Sequence, residues 1–180
     1  MPESGETVRT FVAVLLSEAA AREAERLLDR LRLLARCRWV TRAQLHITLR
    51  FLGELSPAAV ERVRPAVAAV TVQPFDIELH RAGAFPDLAR PRTLWLGGDR
   101  GASELTALAG RVDDALFEVG IPRNDRPFRP HLTLARSDGS PLPPALMREL
   151  ERVPSVAWRC SDISLMRSRL TPRGAVYTRL

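Results

Sequence analysis

Apolar and polar positions along the chain mark out strands and helices in mixed order. Val8 to Leu15 is apolar enough to be a buried strand, and Ser17 is placed to cap the following helix, 17–37, whose Leu27, Leu28, Leu31 and Leu34 fall on one stripe. Leu45 to Leu52 alternates as a strand that Gly53 and Glu54 should end. Ser56 followed by Pro57 opens a second helix, with Val60, Val63, Val67 and Val70 on its core side.

Phe75 to Phe85 alternates again and predicts one half-buried strand, paired with Thr93 to Leu96 across the loop at 86–92. A third helix should start at Ser103, bury Leu105, Leu108, Val112 and Leu116, and stop at Gly120 and Pro122. Residues 123–130, RNDRPFRP, predict a loop. Then come a strand over 131–135, a Ser, Gly and Pro turn at 137–144, a short helix over 144–152, and strands near 156–158, 162–169 and 175–179. The interleaving predicts an α+β chain of two similar lobes sharing one core.

Within that frame two segments repeat. His46-Ile47-Thr48-Leu49 and His131-Leu132-Thr133-Leu134 share the form His-apolar-Thr-apolar and lie half a chain apart, the spacing an internal duplication leaves. With ten threonines in 180 residues, two of three histidines followed by Thr at the second position is a coincidence of about 1%. On a strand, residues i and i+2 share a face, so each segment offers an imidazole and a hydroxyl on one side and apolar residues on the other. Two imidazoles and two hydroxyls converging on one cleft suit displacement at phosphorus. One His acts as base on the entering oxygen, the other as acid on the leaving oxygen, and the hydroxyls donate to the non-bridging oxygens. No GxSxG elbow and no P-loop is present.

Composition sharpens this only partly. The net charge is +6, and all 27 basic residues are Arg. Arg is the bidentate partner of phosphate, although a coding bias toward Arg also accounts for the lack of Lys. Cys37 and Cys160 lack CxxC spacing and are expected as reduced thiols, and three histidines at 46, 80 and 131 do not predict a zinc site. With a mean hydropathy of −0.09, no long apolar run and a polar N-terminal segment, the expectation is a soluble cytoplasmic chain without an export signal.

The two motifs and their flanks, LHITLRFLGE (45–54) and FRPHLTLAR (128–136), resemble the 2H phosphoesterase superfamily, most closely the RNA 2',3'-cyclic phosphodiesterases also called LigT-like or 2'-5' RNA ligases. The likeness extends over the chain, including TLWLG at 93–97. It implies a bilobal duplicated fold with antiparallel sheets lining a central cleft. It also implies hydrolysis of RNA or nucleoside 2',3'-cyclic phosphates to 2'-phosphates without metal or cofactor. By motif match His46 with Thr48 and His131 with Thr133 form the catalytic pairs, His131 as base and His46 as acid. Arg136, five residues past His131, matches a phosphate or base contact, but its strand parity opposes that of His131 unless the strand bends.

Further candidates follow from position. Arg50 shares the parity of His46 and Thr48 and is expected on the cleft floor as a phosphate contact, whereas parity sends Phe51 to the core with Ile47 and Leu49. Phe128 is placed to stack on a base, and Arg123, Arg126 and Arg129 to contact RNA phosphates. His80, Trp39, Trp95 and Trp158 are expected as surface or structural residues. The expected partners are RNA ends or nucleosides carrying the cyclic phosphate, with no membrane and no obligatory protein partner. Alternatives with the same motifs are ligation of RNA halves, cleavage of another 2'-5'-linked or cyclic nucleotide, and a non-catalytic module that holds RNA ends. A membrane-surface role has only the net charge behind it.

Overall fold

The computed structural model describes residues 7–172 and 174–180. Strand β1 (Val8–Leu15) leads into helix α1 (Glu18–Arg32), then the two-residue strand β2 (Arg38–Trp39) and the long strand β3 (His46–Leu55). Helix α2 (Pro57–Ala68) and strands β4 (Phe75–Leu79) and β5 (Arg81–Phe85) complete the first half. The second repeats the plan with β6 (Thr93–Gly97), α3 (Ala102–Glu118), β7 (Leu132–Arg136), α4 (Pro144–Leu150), β8 (Val156–Cys160) and β9 (Ser164–Thr171), and adds β10 (Gly174–Arg179).

Local chemistry accounts for the helix starts. The Ser17 and Ser56 hydroxyls each accept an N–H three residues on, from Ala20 and Ala59, both at 3.2 Å, and Pro57 fills the first turn of α2. Helix α1 ends at Arg32, short of the expected 37, and Leu34 packs on the core from the connection that follows. Helix α3 is capped by Gly101 rather than Ser103. Gly101 sits at φ 84°, and a Cβ there would lie 2.6 Å from the Asp76 carbonyl oxygen, so Gly alone suits this entry.

The main sheet runs β10-β9-β1-β3-β7-β6-β5, with β2 also on β7, and β4 pairs with β8 in a separate two-stranded sheet. All the pairings are antiparallel. The expected strand over 75–85 is therefore two strands. The break at His80 sends 75–79 to β8, and only 81–85 pairs with β6. The halves consequently exchange strands: β5 of the first half extends β6, and β9 of the second extends β1.

One face of the main sheet carries Val12, Val14, Ile47, Leu49, Leu94, Leu96, Leu132 and Leu134, packed with the buried stripes of the four helices and with Ile77 and Trp158 of the small sheet. The other face bears a minor cluster of Phe11, Ala13 and Met166 with Leu15 and Tyr177, and it forms the floor of a cleft.

Trp95 lies over Gly83 on the neighbouring strand so closely that a Cβ on Gly83 would come within 2.3 Å of its ring. Gly83→Ala is expected to cost about 1–3 kcal/mol through overpacking, a Tm lowered by roughly 2–12 °C. A thermal melt checks this, and an unchanged Tm would show that Trp95 can move freely.

Candidate active site

The motif strands meet at one point. β3 and β7 pair at Ile47 opposite Leu132, both fully buried. Because facing residues share a side and neighbours alternate, the same register sets His46 opposite Thr133 and Thr48 opposite His131 on the cleft floor. The two pairs are crossed about an approximate twofold axis.

Each imidazole is held in the same way. His46 Nδ1 donates to the Gln44 carbonyl at 2.7 Å and His131 Nδ1 to the Arg129 carbonyl at 2.7 Å. A carbonyl only accepts, so Nδ1 carries the hydrogen and Nε2 is left for chemistry at both residues. Nε2 of His46 accepts from the Thr48 hydroxyl at 2.9 Å. An aromatic ring from the exchanged strands stands edge-on to each: Tyr177 against His46 at 5.2 Å, and Phe85 against His131 at 5.0 Å. Phe11 adds a tilted contact to His46 at 4.8 Å.

Burial pushes both imidazoles below their ordinary value, opposed in part by the carbonyl bonds. His131 further disfavours a proton on His46, and Arg136 disfavours one on His131. The Tyr177 hydroxyl is pushed up by burial, against the pull of Arg136 and Arg9.

Three bulges decide which side chains join the floor. On β7, Leu94 faces Ala135 while Trp95 faces Thr133, so Leu134 is the extra residue. Parity reverses there, and Arg136 emerges on the side of His131 and Thr133, with Nη1 donating to the Thr93 hydroxyl at 2.8 Å. The bend needed to bring Arg136 to the cleft is present.

On β3 the same device overturns the expectation for Phe51 and alters the parity on which Arg50 was placed. Leu49 is extra against Val12 and Ala13, so Arg50 lies opposite core residue Val12 and Phe51 opposite Phe11. Arg50 leans toward α3 and lines the hollow beside the two pairs from that side. Its Nε lies 3.3 Å from Asp113 Oδ1, and its Nη2 donates to the Pro122 carbonyl at 2.5 Å. Phe51, expected in the core, is 49% exposed and stacks under Arg9 at 4.6 Å. A further bulge at Leu52 lets β3 run on through Gly53 and Glu54 to Leu55 instead of ending there.

A hollow of about 740 Å³ opens beside the crossed pairs, lined by Thr48, Phe51, Phe85, Phe128, Arg129 and His131 among others. Its outer wall is the 123–130 loop, pinned where Asp113 accepts from the Asn124 N–H at 3.1 Å and pairs with Arg50 and Arg123. Arg123 is engaged by Asp114 and covers the Phe117 ring, whereas Arg126 and Phe128 line the hollow. His80 is exposed, Trp158 is buried, and Trp39 is anchored through Nε1 to the Ala35 carbonyl at 3.0 Å. Cys37 and Cys160 are free thiols, and burial pushes Cys160 up to about 11. Among the described residues no three His, Cys, Asp or Glu side chains cluster as a metal site, and no helix is long and apolar enough to cross a membrane.

The family model of the 2'-5' RNA ligase superfamily matches residues 17–172. The chain belongs to this superfamily. Its relatives in the 2'-5' RNA ligase superfamily include an RNA 2',3'-cyclic phosphodiesterase of Aeropyrum pernix, 38% identical over 75% of this chain and 78% of its own length. Another, from Aquifex aeolicus, is 34% identical over 95% and 94%. Among solved structures, a Thermus thermophilus protein aligns with a TM-score of 0.78 at 32% identity, over 96% of this chain and 94% of that one. E. coli LigT in complex with 3'-AMP aligns with a TM-score of 0.76 at 26% identity, over 97% and 96%. The bilobal 2H phosphoesterase fold is thus shared over nearly the whole chain.

Sequence reasoning missed Phe85, Tyr177, Gln44 and Asp113. Phe85 and Tyr177 arrive through strand exchange, Gln44 acts through its backbone, and Asp113 stands on a helix with no motif around it.

The depressed imidazoles have a stability consequence. As pH falls below about 6.5 the unfolded chain takes up protons that folded His46 and His131 refuse, so stability drops through their folded range. Chemical denaturation between pH 7.5 and 5 is expected to show this loss. A His46→Gln/His131→Gln variant should show a flatter profile, and an identical slope would place the pH sensitivity elsewhere.

Proposed function

We propose that this chain hydrolyses 2',3'-cyclic phosphates at RNA ends to 2'-phosphates, with His131 as base and His46 as acid and with no metal taking part. The crossed His and Thr pairs about Ile47 and Leu132 carry this reading, since in-line displacement needs an acid and a base on opposite sides of one phosphorus. The names of the curated relatives agree with it.

His131 Nε2 takes a proton from water as the water oxygen bonds to phosphorus. The P–O3' bond breaks, and the Nε2 proton of His46 passes to O3', leaving a 3'-hydroxyl and a 2'-phosphate. Burial and Arg136 favour the neutral imidazole at His131, the form a base needs, and the division of roles follows the motif match. The Thr48 and Thr133 hydroxyls and the Arg136 guanidinium donate to the non-bridging oxygens. Phe128 with Phe51 offers faces to the base, and Arg129 a cation at the hollow's edge. Arg50 lines the hollow and also holds the loop through Pro122 and Asp113.

Purified protein given 2',3'-cyclic AMP in excess EDTA is expected to release 2'-AMP. Release of 3'-AMP would reverse the assignment of the leaving oxygen, and inhibition by EDTA would refute the metal-free reading. His46→Ala and His131→Ala should each lower kcat by about 10²–10⁴-fold, and Thr48→Val or Thr133→Val by less. Near-normal turnover in either His variant would end the two-histidine mechanism. The kcat/KM profile should be bell-shaped with its maximum below about pH 6.5, because both imidazoles are depressed in the free protein. A maximum above pH 7.5 would contradict that.

A further inference from the structure

A second hollow, of about 420 Å³, is lined by Arg36, Cys37, Arg38, Arg136, Ser137 and Asp138. It shares Arg136 with the floor of the site, so it continues that floor. The short strand β2 creates it. Arg38 pairs with Arg136 and Trp39 with Ala135, while the Val40 N–H donates to the Leu134 carbonyl at 2.9 Å. Trp39 packs against the core and is held through Nε1, so its neighbour Arg38 is turned to the opposite side. Facing residues on antiparallel strands share a side, and Arg38 therefore stands beside Arg136 on the cleft face, with Cα atoms about 5 Å apart.

Arg36 and Arg38 are exposed and have no ion pair among the described residues, in contrast to the many arginines here that do, such as Arg22, Arg42, Arg64 and Arg100. The hollow's one carboxylate, Asp138, is otherwise engaged: it accepts the Ser140 N–H at 2.9 Å and is attended by Arg92. Cys37 stays a neutral thiol, since burial and Asp138 both push it up. Three arginines line one hollow against a single carboxylate that is bound elsewhere, so the local field favours an anion.

We infer that Arg36 and Arg38, with Arg136, form a subsite for the phosphodiester linking the terminal nucleotide of an RNA to the nucleotide before it. The inference rests on the cyclic-phosphate reading above and extends it to the length of the substrate. The reacting phosphate then lies between two hollows of different chemistry. The aromatic one, with Phe51, Phe85 and Phe128, takes the terminal base, and the arginine one takes the preceding link of the chain. Such a site selects oligonucleotides over mononucleotides and leaves the chemistry at the terminal phosphate unchanged.

The test compares the wild-type chain with an Arg36→Ala/Arg38→Ala variant on 2',3'-cyclic AMP and on a five-nucleotide RNA ending in a 2',3'-cyclic phosphate. The variant should lose about tenfold or more in kcat/KM on the RNA and stay within about twofold on cyclic AMP, and its log–log salt dependence should flatten by about 0.7 for the one phosphate no longer neutralised. Equal losses on both substrates, or none on the RNA, overturn the subsite. Binding of the same RNA ending in a 2'-phosphate, followed by fluorescence anisotropy, gives a readout free of turnover. Weaker binding by the variant supports the subsite even if neither protein turns over, in which case the catalytic reading fails alone. Equal binding by both proteins overturns the subsite.

Discussion

The pairing of Ile47 with Leu132 is the contact on which the site depends. Both residues are fully buried, and the side-chain period of a strand is two, so a one-residue slip would turn a histidine into the core and an apolar residue into the cleft. Burial of this pair therefore specifies the register, and the register places four polar groups without any of them having to bind another across the join. The core keeps the geometry of the site in place, while the polar residues stand above it on the cleft face.

The electrostatics of the site come at little structural cost. Each histidine borrows the carbonyl two residues before it, a group the strand supplies without a dedicated side chain. This gives both rings one tautomer and orients Nε2. Desolvation lowers proton affinity at both, with His131 adding to this at His46 and Arg136 at His131. A site built from two copies of one motif thus gives its two imidazoles different charged neighbours.

Much of this was legible in the sequence. Serine caps, apolar stripes and alternation located the helices and most strands to within a few residues, and the repeated HxT form pointed to the pairs that the sheet brings together. What escaped was whatever depends on pairing partners. A bulge leaves no mark in the bulged strand's own residues, so parity misplaced Phe51 while leaving Arg136 dependent on a bend. The split at His80 was equally hidden, because Phe75 to Phe85 alternates without a break and only the exchange of β5 into the other half divides it.

That exchange also determines how the cleft can move. The ring against His131 belongs to a strand from the first half, and the ring against His46 to a strand from the second. Swinging the halves apart would have to unzip ladder hydrogen bonds on both sides at once, so a hinge between them is mechanically blocked. Adjustment to a ligand is left to the 123–130 loop, which is tethered at its start by Asp113 and continuous at its end with β7. The floor is one continuous hydrogen-bonded sheet shared by both halves.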